Sequence, residues 1–182
     1  MRSPHGPLKS WHWPDLAARD LSWSQWLHRA SARPWLVLLL VGVSRLCDGL
    51  LWYALIVALP WVGGVNGTAC ALRMTALGLL NLVIYKTVKR YFARPRPYIA
   101  CTSIRACTKS LDEHSFPSGH TLHAVSFSML LALYYPHMAW PLALLTSLVA
   151  LSRVVLGLHY PSDVAVGAAI GFATTKLVLL LF

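Results

Sequence analysis

The chain has 182 residues, of which 57% are hydrophobic and only 12% charged, and its mean hydropathy is +0.56. One domain is the default at this length. A soluble domain ordinarily carries about 25% charged residues, so lipid is the expected solvent for much of this surface. The formal charge of +10 leaves three classes of partner: nucleic acid, an anionic membrane surface or an anionic substrate. Long apolar stretches between the basic clusters argue against nucleic acid.

The first 33 residues hold five of the cations: Arg2, Lys9, Arg19, Arg29 and Arg33. They lack the basic start, short apolar run and cleavage site of a secretory signal peptide, so insertion is expected to fall to the mature helices. Pro14-Asp15 suits a helix start. Beyond it Leu16, Trp23, Trp26, Leu27 and Ala30 approximate one helical face, with Arg19, Asp20 and Arg29 elsewhere. Trp11, Trp13, Trp23 and Trp26 suit the headgroup zone. Residues 1–34 therefore read as an interfacial segment ahead of a transmembrane domain over 35–182. The alternative is a first span shared with Trp35–Val43, at the cost of His28, Arg29, Arg33 and Pro34 in lipid.

The stretch Trp35–Val65 is interrupted by Ser44, Arg45 and Asp48. It reads either as one tilted helix or as a short helix followed by a span. Arg45 and Asp48, three apart, can pair on a helix. Four further segments approach the roughly 20 apolar residues of a membrane-crossing helix: Thr68–Tyr85, His120–Tyr135, Met138–Leu156 and Val164–Phe182. The second is short alone and extends at either end. The expected fold class is all-α: a polytopic transmembrane helix bundle of five to six spans with an N-terminal interfacial helix. Asn81, deep in a span, reads as interhelical glue, and Arg73 as a snorkelling side chain.

Cys47 and Cys70 fall in or beside apolar stretches and read as packing residues. Cys101 and Cys107 share a polar loop. They form a disulfide if that loop faces an oxidising compartment, or remain two unrelated thiols. No Cys/His spacing suits a zinc site.

Topology matters more than span count. The loops Lys86–Pro117 and Ser152–Ser162 are separated by two spans, and two crossings return the chain to the same side. Both polar loops are thus expected at one membrane face, where their residues can share a site.

Seven of the sixteen cations lie between Lys86 and Lys109. Basic residues near a membrane surface are most often anchors. Here Pro95 and Pro97 stiffen the backbone around Lys89, Arg94 and Arg96, and arginine offers a planar fork suited to phosphate oxygens. Phe116-Pro117-Ser118-Gly119-His120 then precedes an apolar helix. Ser118 or a neighbour can cap that helix, Gly119 permits close backbone approach, and free N–H groups favour an anion. His120 sits where it can protonate a leaving group; a plain cap with an interfacial histidine explains the same residues. In the last loop, Ser152-Arg153 is followed by His159 and Asp163. Pro161 suits a first helical turn, placing Asp163 close to His159. A carboxylate beside an imidazole can hold Nδ1–H and leave Nε2 as nucleophile, whereas the plain reading is a capping Asp and an interfacial His. Together these groups suit phosphoryl transfer. Cations neutralise the phosphate oxygens, one histidine attacks in line and the other protonates the leaving oxygen.

Lys89 through Arg96-Pro97, Pro117–His120, and Ser152-Arg153 with His159 and Asp163 match, in order and spacing, three signature motifs. On these residues the chain resembles the type 2 phosphatidic acid phosphatase (PAP2) superfamily, which also includes vanadium haloperoxidases. With flanking spans the resemblance covers roughly residues 68–182. It implies that Lys89, Arg96 and Arg153, with Ser118 and the Gly119 backbone, bind phosphate. His159 is implied as the nucleophile forming a phosphohistidine, Asp163 as its orienting group, and His120 as general acid and then activator of water. No metal or cofactor is implied. Arg94-Pro95 is a second Arg-Pro, outside the family spacing. Small bacterial members often have six spans and an extracytoplasmic site, which places this chain in the inner membrane by resemblance.

The resemblance implies a lipid phosphate substrate, such as undecaprenyl diphosphate, phosphatidylglycerol phosphate, phosphatidate or a lipid A phosphate, with a polyprenyl diphosphate favoured. Alternatives are a lipid phosphotransferase using the same intermediate and a non-enzymatic membrane protein; a haloperoxidase is least expected. His123 is expected to pack, and His114 to reach a headgroup or remain an ordinary loop residue. Oligomeric state is not legible.

Overall fold

The computed structural model describes residues 14–110 and 112–182, so Trp11 and Trp13, assigned above to the headgroup zone, lie outside the described residues. Seven α-helices account for most of the described chain: α1 (Pro14–His28), α2 (Pro34–Leu46), α3 (Leu50–Phe92), α4 (Pro97–Ala100), α5 (Gly119–Tyr134), α6 (Ala139–Val155) and α7 (Pro161–Leu181). No strand occurs among the described residues. Starts follow sequence cues. Pro34, Pro97 and Pro161 each open a helix, where a missing N–H costs nothing.

The interrupted stretch resolves as a short helix and then a hairpin. The 13 residues of α2 rise about 20 Å, too little for a ~30 Å hydrocarbon core. α3 is two helical arms joined at Gly64, whose φ of 56° and ψ of −135° are non-helical. The chain doubles back there. Gly67 lies against the Leu59 carbonyl, whereas eight residues of straight helix would separate them by about 12 Å. The second arm contains the expected span Thr68–Tyr85, and α5, α6 and α7 follow the other three expected spans closely.

Two ends of the bundle are fixed by side chains. At one end Arg73 reaches the Tyr134 hydroxyl and the Phe182 carbonyl. Arg73 therefore links α3 to the C-terminal ends of α5 and α7. Asp48, Lys89, Gly119, Arg153 and Pro161 gather at the other end, and the two arms of α3 with α5, α6 and α7 run between. Stretches long and apolar enough to cross a membrane are Leu50–Ala100, Pro136–Val155 and Pro161–Leu181. The protein is integral to the membrane: exposed Trp61, Val62, Val65, Trp140 and Leu180 on these helices are outward faces that suit lipid.

α5 and α7 pack at backbone contact. A Cβ at Gly167 would stand 2.6 Å from the Ser118 carbonyl oxygen, and one at Gly171 would stand 2.5 Å from that of Leu122. Two glycines four apart let the backbones meet, a common device between membrane helices. Asn81 donates to Ser126 Oγ at 2.8 Å and joins α3 to α5 as expected. α1 shows Trp23 and Trp26 outward, more than half exposed and stacked edge-on at 6.0 Å. Its opposite side is not a plain polar face, because Asp20, Ser24 and His28 are buried against the bundle.

Candidate active site

The three basic and histidine motifs meet at one end of the bundle, because α5 runs away from that end and α6 returns to it. A cavity of about 550 Å³ opens there, lined at its polar end by Lys89, Arg96, Gly119, His120, Arg153 and His159. Away from that end most of its wall is apolar, with Trp52 and Ile56 from the first arm of α3, Leu79 and Leu82 from the second, and Phe127 from α5. A second hollow, of about 640 Å³, lies between α1 and the 102–105 loop and contains no motif residue.

His159 sits in the short loop between α6 and α7 and is 2% exposed. Its backbone N–H donates to the Arg153 carbonyl at 3.0 Å, and Arg96 is fixed alongside by donating to the Leu158 carbonyl at 2.7 Å. The Arg96 guanidinium lies 3.3 Å from His159 Nε2. Arginine can only donate, so Nε2 carries the lone pair and the ring proton belongs on Nδ1. Nδ1 faces Asp163 Oδ2 at 3.6 Å, longer than a hydrogen bond, as often holds for catalytic pairs before substrate binds. Burial pushes His159 well below the ordinary histidine range, and Arg153, Arg96 and Lys89 add to that effect. The ring is therefore held neutral, with the Nε2 lone pair facing the Arg96 guanidinium.

Asp163 is wholly buried in the first turn of α7. Oδ2 accepts from the Tyr160 N–H at 2.9 Å, closing the helix start, and Oδ1 pairs with Arg94 at 2.7 Å. Arg94 also pairs with Asp20 of α1 at 2.7 Å, and Asp20 accepts from Ser162 N–H at 3.0 Å. The second Arg-Pro thus holds the Asp163 carboxylate from behind, and Arg96 lines the cavity. Asp20 was not legible as a site residue, because its partners lie more than 70 positions away.

His120 is the second residue of α5. Its Nε2 lies 2.6 Å from Asp48 Oδ1, an ion-pair contact rather than an aligned hydrogen bond. Asp48 faces His120 and not Arg45, the helical partner expected from spacing. Ser118 is buried as the N-cap of α5: its hydroxyl meets Thr121 Oγ1 at 3.0 Å, and its N–H donates to the Asp163 carbonyl at 3.0 Å. That bond fixes the start of α5 to the start of α7. Gly119, one residue on, is the part of this motif that lines the cavity beside His120.

Arg153 is 3% exposed; one guanidinium nitrogen donates to Ser44 of α2, while the buried Nε has no partner among the described residues. An orphaned buried donor beside two other cations is what an anionic ligand would satisfy. Asp112 crosses the remaining pair. Both its oxygens stand 2.8 Å from Lys89 Nζ, and Oδ1 is 2.6 Å from Arg96. Burial would raise the Asp112 carboxyl, but Lys89 and Arg96 outweigh it and hold it below its usual range. Nothing in the spacing pointed to Asp112.

His123 Nδ1–H donates to the Gly119 carbonyl at 2.9 Å, and the ring packs on Tyr85 and Phe127. His114 does not line the cavity. All four cysteines are free: Cys47 and Cys70 are buried, and Cys101 interacts with Gln25 and Ser103 rather than Cys107.

The PAP2 superfamily model matches residues 67–182, which include all three motifs. The chain belongs to the PAP2 superfamily. Among curated relatives, this PAP2 protein is 32% identical over 125 residues to the undecaprenyl-diphosphatase BcrC of Bacillus subtilis, covering 66% of this chain and 64% of that one. It is 36% identical over 91 residues to the decaprenylphosphoryl-5-phosphoribose phosphatase of Mycobacterium tuberculosis, covering 50% of this chain and 49% of the relative. The chain thus spans less than two thirds of the length of these relatives. Two crystal structures share its fold. The transmembrane PAP2-type phosphatidylglycerolphosphate phosphatase of Bacillus subtilis superposes with a TM-score of 0.75 at 23% identity, over 93% of this chain and 87% of that one. LpxE of Aquifex aeolicus gives 0.77 at 25% identity, over 87% and 93%.

Proposed function

We propose that this PAP2 protein is a lipid phosphatase that hydrolyses a lipid phosphate or diphosphate through a phosphohistidine. The observation that carries the reading is the cavity. It joins a cationic end with two histidines to an apolar wall between the arms of α3 and α5. A phosphate on a lipid tail fits both parts at once. A polyprenyl diphosphate is the favoured substrate, because a relative with 32% identity is named an undecaprenyl-diphosphatase.

In this reading Lys89, Arg96, Arg153 and the Gly119 backbone hold the phosphate oxygens, with Ser118 holding the α5 start that presents Gly119. His159 Nε2 attacks phosphorus while Asp163 retains Nδ1–H. An N–P bond forms, the bond to the leaving oxygen breaks, and His120 gives that oxygen a proton. His120 then takes a proton from water, whose oxygen attacks phosphorus. The N–P bond breaks, phosphate leaves and His159 is restored. In-line displacement needs little more from the protein than position and positive charge.

Residues 1–34 act as the interfacial segment, with Trp23 and Trp26 at the headgroups, and 35–182 as the catalytic domain in the inner membrane. The site faces the extracytoplasmic side. Ser103 and Gln25 hold the Cys101 thiol below its usual range, so it is a reactive reporter of that side. A membrane-impermeant maleimide is expected to label Cys101 in intact cells. Labelling only after lysis would place the site in the cytoplasm.

The test of activity is phosphate release from lipid phosphates by the purified protein with EDTA present. Release lost in His159→Ala supports the reading, and release unchanged in that variant contradicts it.

A further inference from the structure

The partner of His120 lies outside all three motifs and outside the family match. Asp48 occupies the turn between α2 and α3. Its N–H donates to the Arg45 carbonyl at 3.2 Å, and Gly49 follows with φ 115°, a conformation that favours glycine. A Cβ at Gly49 would stand 2.8 Å from the Tyr53 ring. One turn on, Trp52 is buried with its ring 5.2 Å from Phe127 of α5. The turn is therefore fixed against the helix that carries His120, and the 2.6 Å approach follows from that. Burial would raise the Asp48 carboxyl, but His120 and Arg153 outweigh it and keep Asp48 ionised. The other charged or titratable groups facing His120 are Arg153 of α6, His123 on its own helix and His159.

We propose that Asp48 is a positioning residue for proton transfer by His120, its carboxylate holding Nε2–H so that Nδ1 exchanges the proton. This rests on the assignment of His120 as general acid. In the first step the imidazolium gives its Nδ1 proton to the leaving oxygen as the P–O bond breaks and the His159–P bond forms. Asp48 keeps Nε2–H throughout and favours the charged ring against burial and Arg153, which disfavour it. In the second step the neutral Nδ1 takes a proton from the attacking water and the charged ring is regenerated. Both histidines then follow one rule: a carboxylate fixes one nitrogen and the other does the chemistry.

Leaving-group dependence tests this. The kcat/KM value covers steps up to departure of the leaving group. An alkoxide needs a proton to depart, whereas nitrophenolate leaves without one. Full-length wild type, Asp48→Asn, Asp48→Glu and His120→Gln are compared on phosphatidate and on p-nitrophenyl phosphate. In Asp48→Asn, kcat/KM for phosphatidate is expected to fall about thirtyfold, part of the 10²–10⁴ that general acid catalysis supplies, while that for p-nitrophenyl phosphate changes less than about threefold. Asp48→Glu restores most of the loss, and His120→Gln shows the same discrimination more strongly. Equal losses on both substrates in Asp48→Asn, or none on either, overturn the proposal while leaving His120 as the acid. No discrimination in His120→Gln overturns that assignment and this proposal with it.

Discussion

At the residue scale the site separates its two histidines by the charge each faces. His159 is enclosed with Arg96, Arg153 and Lys89, and burial and these cations keep it neutral. His120 stands against the Asp48 carboxylate. A nucleophile must keep its lone pair and an acid must hold a proton; at His120 the Asp48 carboxylate opposes burial and Arg153, an opposition that His159 lacks at hydrogen-bond distance. The His159 ring, followed by NMR and assigned by its loss in His159→Ala, is expected to titrate well below the ordinary midpoint of about 6.5. A midpoint at or above that value would contradict the enclosure. Asp112 makes a second residue-scale case. It neutralises Lys89 and Arg96, the cations a phosphate needs. Partly exposed pairs are worth up to about 1 kcal/mol each, so Asp112→Asn is expected to tighten inhibition by inorganic phosphate about fivefold. Weaker inhibition would instead mean that Asp112 holds the two cations in place for the ligand.

Element by element, the starts of α5 and α7 are the parts that must keep register. Ser118 N–H donates to the Asp163 carbonyl, and Gly167 and Gly171 let the two helices close to backbone contact. A side chain at Gly171 meets the Leu122 carbonyl, which is backbone and cannot swing aside. Gly171→Val is expected to destabilise the protein by about 1–3 kcal/mol, read as a lower melting temperature in detergent. An unchanged melting temperature would show that the helices are not in tight contact. Helix starts were legible because Pro161 and the Pro117-Ser118-Gly119 run are local signals. The reversal at Gly64 was not: one glycine in an apolar run looks the same whether the helix continues or turns. Asp20, Asp48 and Asp112 escaped for a related reason. Each finds its partner 16 or more positions away, and spacing reveals only partners within a turn or two. The Arg45–Asp48 expectation failed on the same ground, since a tertiary partner outcompeted a helical neighbour.

Across the described residues, one end of the bundle gathers the motif residues, and the helices turn apolar side chains outward along their length. All the motif residues come to that end because α5 and α6 cross and return, which the order of polar loops and apolar segments already dictated. The cavity continues from this end between apolar helices, so the reacting phosphate and its tail can share one opening. α1 closes the other side of the site through Asp20, so the N-terminal helix contributes to the electrostatics of Arg94 and Asp163 as well as meeting the membrane surface. Its exposed tryptophans were legible from composition, whereas the buried carboxylate on its opposite side was not.

The measurement that bears most directly on the central claim is trapping of the intermediate. Detergent-purified protein is mixed with ³²P-labelled lipid diphosphate in EDTA and quenched in alkali, in which phosphohistidine survives. The expected result is label on the wild-type chain, none on His159→Ala, and accumulation on a His120→Gln variant given a good leaving group. Label retained on His159→Ala, or lipid turnover with no labelled protein at any time, would contradict attack by His159.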